Sequence, residues 1–161
     1  MRDMQEFPGT ADRPGGVARA RFQILFGSAS VSPQRMGWPT PDGRGPVDWY
    51  GWRLVGANNR ELGRSAVSFV SYPVARQAVA DVRAHWAELS RVVASSAVTG
   101  RWSWRVDFDG VAVAVSGRYY ERQIDSRHGA ERFVALLPTV GLADGVIALR
   151  ERRDLYAGGL A

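Results

Sequence analysis

The chain has no cysteine in its 161 residues, which excludes disulfide bridges, zinc–thiolate sites, iron–sulfur clusters and thiol catalysis together. Packing alone must hold it. Lysine is missing as well: all 21 basic residues are arginine. Histidine, the usual general base near neutral pH, occurs only as His85 and His128. Residues 1–20 carry Glu6, Pro8, Asp12 and Pro14 with no apolar run. That stretch reads as neither a secretory signal nor a membrane span, and the cytoplasm is the expected location.

What is present suits a single globular domain, since a chain of this length would leave two separate cores small. The net charge of +5 invites an anionic partner, because a basic surface attracts phosphate. The arginines are nevertheless spread from Arg2 to Arg153, with no run longer than Arg152-Arg153. Arginine without lysine, beside abundant alanine, glycine and valine, is also what a GC-rich bacterial genome encodes. A selected anion-binding surface and a compositional bias both remain open.

Ala18 to Phe26 alternates apolar and polar residues with period two, the mark of a half-buried strand. Pro33, Pro39, Pro41 and Pro46 then interrupt regular pairing over residues 27–48. Loops of this length inside a domain are uncommon and tend to be functional or disordered. Trp49–Val55 and Leu62–Val70, joined by Ala57-Asn58-Asn59, read as a hairpin. A helix follows, capped by Ser71 or Tyr72, with Pro73 in its first turn. Its apolar stripe runs through Ala75, Ala78, Val79, Val82, Trp86, Leu89 and Val93. Trp102–Phe108, Asp109-Gly110 and Val111–Ser116 give a second hairpin. A second helix has Asp125 as its cap, Ala130, Phe133, Val134 and Leu137 as its stripe and Pro138 as its stop. A last short strand spans Gly145–Arg150, and residues 1–18 and 151–161 read as disordered or loose tails.

These elements come in two similar sets. Trp104-Arg105-Val106 matches Trp52-Arg53-Leu54, Ser116 matches Ser65, and Tyr120 matches Phe69. Ala130 and Phe133 then match Val79 and Val82. The expected architecture is α+β: two strand-hairpin-helix repeats over 19–94 and 95–150, related by a pseudo-twofold. They would share an antiparallel sheet with two helices on one face. Trp52-Arg53-Leu54, Ala57-Asn58, Leu62-Gly63, Ser65 and the helical Ala78, Val79 and Val82 resemble the YegP-like proteins. These are small bacterial and archaeal domains of unknown function built from tandem strand-strand-strand-helix repeats. The resemblance covers residues 20–137 and implies a fold, with no site residues and no cofactor. The proline-rich insertion departs from that pattern, and the second copy shows no clear first strand between Ser95 and Gly100. Val146–Arg150 is expected to fill that sheet position.

No catalytic or metal constellation stands out. His85 lies beside the first helix's apolar stripe, where a packing role is expected. Asp125, Ser126 and His128 sit within one helical turn, whereas triads are assembled from separated elements. Asp107-Phe108-Asp109-Gly110 lacks the further acidic ligands of a calcium loop and is explained as a hairpin turn. The glycine-rich stretches at Gly15-Gly16 and Gly43-Arg44-Gly45 lack the strand, helix and lysine of a phosphate loop.

The expected function is a small non-catalytic binding or protein-interaction module, with no cofactor and no metal, acting with a protein partner or as a homodimer. Met36 and Trp38 in the insertion are its candidate partner contacts. The alternative is a nucleic-acid-binding module in which Arg53, Arg101, Arg105, Arg118 and Arg122 line one surface and Tyr120 offers a stacking ring. An enzyme is the third reading and requires the fold to bring a histidine and an acid together in a cleft.

Overall fold

Seven strands and two helices account for the regular structure of the computed structural model, which describes residues 19–40 and 47–150. The expected tails at 1–18 and 151–161, and residues 41–46 of the insertion, lie outside the described residues. Strand β1 (Arg21–Gly27) pairs antiparallel with β2 (Trp49–Val55), placing Phe22 opposite Leu54 and Ile24 opposite Trp52. These four side chains share one face, as period-two alternation requires. After the Ala57-Asn58-Asn59 turn, β3 (Glu61–Ser65) completes the hairpin. Helix α1 (Tyr72–Ala84) begins where Ser71 Oγ accepts the Val74 amide at 3.4 Å, with Pro73 in the first turn.

The later elements are β4 (Ser90–Ser95), β5 (Trp102–Phe108), β6 (Val111–Val115), α2 (Gln123–Leu136) and β7 (Leu142–Ala148). Asp109 and Gly110, both at positive φ, form the tight β5–β6 turn that twists with the strands. The sheet order is β4-β5-β6-β3-β2-β1-β7. Every pairing is antiparallel except that of β7 with β1, so the sheet is mixed.

Both helices lie over the same sheet face. Ala75, Val79 and Val82 of α1 and Ala130, Phe133 and Val134 of α2 join Phe22, Ile24, Trp52, Leu54, Trp104 and Val106 in one core. Phe133 stands between two tryptophans, 6.4 Å from the Trp52 ring and 5.0 Å from the Trp104 ring. Burying an aromatic side chain of this kind stabilises the fold by roughly 1.5–3 kcal/mol each.

Three sequence expectations require correction. The helical stripe does not run to Val93: α1 ends at Ala84, where the His85 amide bonds to Asp81 O and a short 3-10 turn follows. Beyond it the β-branched Val92 and Val93 enter β4, whose six residues all pair with β5. This strand, missed in the sequence because its valines fit a helical period as well, takes the place assigned to Val146–Arg150. The closing strand β7 lies at the opposite edge, parallel to β1. Asp125 is not the cap of α2, because the helix starts two residues earlier and Arg122 occupies the cap position without a side-chain bond to the backbone.

The opposite sheet face is covered in part by the insertion. Val31 and Trp38 pack with Leu25 and Trp49 in a second, smaller core. Trp38 lies flat on the sheet because Gly51 has no side chain; a Cβ there would stand 2.7 Å from the indole Nε1. Arg64 of β3 holds the segment down. Its guanidinium sits 3.9 Å from the centre of the Trp38 ring, donates to Met36 O at 2.7 Å and pairs with Glu61 at 2.6 Å.

Candidate functional site

The arginines singled out in the sequence take up different tasks. Arg53 donates through Nε to Gln23 Oε1 at 2.9 Å. Arg105 pairs with Asp107 at 3.0 Å, Arg101 with Glu121 at 2.7 Å and Arg122 with Asp125 at 2.8 Å. The last pair shifts both partners. The hydrogen bond from Arg122 holds the Asp125 carboxyl below its ordinary value, and Asp125 in turn raises Arg122. Arg118 makes no ion pair among the described residues and stacks 4.5 Å above the Tyr120 ring.

Their positions follow from the strand register. Arg53 lies opposite Arg64, Arg64 opposite Val115 and Val115 opposite Arg105, so these residues form a row across the sheet face away from the helices. Arg105 and Arg118 line one groove on that face, a hollow of about 430 Å³ whose edge carries Tyr119. Arg101 and Arg122 line neither this groove nor the larger cleft described next. The five arginines therefore do not line one hollow. Trp38, offered as a partner contact, is 2% exposed and packs on its own sheet, so its ring is not presented outward; Met36 beside it is half-buried.

A larger cleft lies on the helical side, between the β2–β3 turn and α2, with a volume of about 650 Å³. Arg60 enters it from the turn, Arg118 and Tyr120 from the segment after β6, and His128 and Arg132 from α2. Two acids are also in the wall, but each is already engaged: Glu61 by Arg64 and Asp125 by Arg122. Among the described residues no carboxylate stands within ion-pair distance of Arg60, Arg118 or Arg132. Gly129 forms part of the wall, and a Cβ there would come to 2.4 Å from Tyr120 Oη and 2.9 Å from Trp104 Nε1. The missing side chain lets the phenol rest against α2. This is a concave surface with guanidinium groups beyond ion-pair distance of any described carboxylate, a phenol and an imidazole, suited to holding an anion.

Sequence reasoning missed Arg60, Arg132 and His128 as members of a site. Asp125, His128 and Arg132 recur at three- and four-residue spacing and so share a helix face, which was a usable signal. Arg60 had none, since only the β3–β6 pairing brings its turn next to α2.

Each histidine lines a hollow together with an aspartate, His85 with Asp81 and His128 with Asp125. His85 Nδ1 lies 2.9 Å from the Asp81 main-chain oxygen, while the Asp81 carboxylate accepts Gln77 Nε2 at 2.8 Å. His128 shares its cleft with Asp125, whose two oxygens accept from Arg122 at 2.8 and 2.9 Å. Among the described residues no three of His, Asp and Glu gather as a metal set, and no helix is long and apolar enough to cross a membrane.

No family model and no curated protein matches the chain. Two solved structures are similar in fold. One is the solution structure of YegP from Escherichia coli, a protein of unknown function, at 13% identity and a TM-score of 0.52, covering 81% of this chain and 97% of that one. The other is a UPF0339 protein of Shewanella oneidensis, at 9% identity and a TM-score of 0.50, covering 82% of this chain and 98% of that one. At such identities the likeness is one of fold: the chain has the α+β fold of YegP and the UPF0339 protein.

Proposed function

We propose that this protein is a non-catalytic binding module of the YegP-like family, acting in the cytoplasm, whose ligand is a phosphate-bearing single strand of nucleic acid held at the arginine cleft. The observation that carries the reading is the set of Arg60, Arg118 and Arg132 around one hollow whose own acids are paired elsewhere. Guanidinium groups that make no ion pair among the described residues keep their hydrogen-bonding forks free for phosphate oxygens. Arg118 joins this cleft to the groove on the other sheet face, where Tyr119 is 61% exposed and Arg105 follows. A flexible strand with stackable bases fits such a broken path better than a rigid duplex does. Contact through Met36 and Trp38 has less support, because the insertion uses Trp38 for its own packing.

The scaffold reading is that β1-β2-β3-α1 and β4-β5-β6-α2 are two copies related by a pseudo-twofold between β3 and β6. Two pairs of equivalent contacts support it. Trp52 N donates to Ser65 Oγ at 3.2 Å and Trp104 N to Ser116 Oγ at 3.3 Å. Isolated bridges join Tyr50 to Phe69 and Trp102 to Tyr120.

Fluorescence anisotropy with a labelled single-stranded oligonucleotide tests the functional reading. The R60A/R132A double variant should weaken binding about tenfold or more, since each charge-assisted contact contributes roughly 1.5–3 kcal/mol at most. The control R76A/R91A, which leaves the cleft intact, should change it little. Equal affinity for all three proteins would remove the cleft from the account.

A further inference from the structure

A second hollow occupies the same sheet face between α1 and the β5–β6 hairpin, with a volume of about 440 Å³. Its walls come from positions that match those of the arginine cleft under the repeat alignment. Val67 stands for Arg118, Phe69 for Tyr120, Ala78 for Gly129, Asp81 for Arg132 and Val111 for Arg60. At the matched positions the charge is removed or reversed. Among the described residues no arginine lines this hollow.

We propose that this cleft is a separate site for a small organic cation: a protonated amine carried on an apolar or aromatic body. Phe69, Phe108 and Trp52 supply an aromatic wall, with the Phe108 ring 4.4 Å from the His85 ring at the rim. Aromatic faces attract ammonium groups, most strongly where water is excluded. The polar groups at the mouth are acceptors. The Asp81 carboxylate is exposed there and only one of its oxygens is engaged, by Gln77. When His85 donates Nδ1–H to Asp81 O, its Nε2 is left as an acceptor. Asp81 and His85 also mark the C-terminal end of α1, where the unpaired carbonyls carry partial negative charge. Volume, aromatic lining and a few convergent polar groups are the common features of small-molecule sites; the charge at the mouth selects the sign.

The test is a titration of the isotopically labelled protein with phenethylammonium, followed by amide chemical shifts, beside 2-phenylethanol and phenylacetate. The amine should give saturable shifts confined to Phe69, Asp81, His85 and Ala112. The alcohol should bind more weakly and the carboxylate weakest. D81N, which keeps an oxygen for Gln77, should reduce amine affinity about tenfold, whereas R132A in the other cleft should leave it unchanged. Absence of saturable binding, equal binding of phenylacetate, or an unaffected D81N would overturn the proposal.

Discussion

Gly129 shows how much one missing carbon decides. Tyr120 Oη occupies the space where a Cβ would project, 2.4 Å away, so the phenol lies against α2 and its ring stays beneath Arg118. G129A should therefore displace Tyr120 and destabilise the fold by about 1–3 kcal/mol, as overpacking commonly does; urea unfolding measures it. A second residue-scale prediction concerns Arg122 and Asp125. Because Arg122 lowers the Asp125 folded-state value below the ordinary 3.8, the pair's contribution is present above that value. It is lost as pH falls through the lower folded value. Carboxyl titration by NMR should place Asp125 below 3.8 in the native chain and move it upward in R122A. At this scale the sequence disclosed the arginines but not their partners, since pairing depends on where side chains such as Glu121 and Asp125 point. The Arg105–Asp107 pair was an exception in principle, being two residues apart on one strand face.

Among the elements, hairpins and helix starts were legible because their signals are local. Asp109-Gly110 announced the tight turn, and Ser71 with Pro73 announced α1. The β4 strand was not, because Val92 and Val93 fit a helical stripe and only pairing with β5 selects the extended form. The parallel seat of β7 beside β1 was equally hidden, as nothing local in Leu142–Ala148 names its neighbour. The insertion is the element with the largest structural consequence on the outer face. Trp38 is buried against Trp49 and the bare backbone of Gly51 under Arg64. W38A should cost about 3–5 kcal/mol by cavity formation. R64A should cost less yet loosen the same segment, which faster hydrogen exchange at the Trp38 and Ser68 amides, bonded to Pro33 O and Pro39 O, would register.

For the molecule as a whole, one sheet face carries two clefts of opposite chemical character and the other carries an arginine row partly covered by the insertion. The α+β class was readable because strand alternation and helical stripes are local patterns. The clefts were not, because each joins a hairpin turn to a helix about seventy residues away in the chain (Arg60 and Arg132) or about thirty (Asp81 and Val111). Whether the arginine cleft holds phosphate groups is tested most directly by the salt dependence of single-strand binding. With three phosphate contacts, the logarithm of the association constant should fall with the logarithm of salt concentration with a slope of about −2. R60A/R132A should reduce that slope to about −0.7. An unchanged slope in the double variant, or binding indifferent to salt in the native protein, would contradict the account.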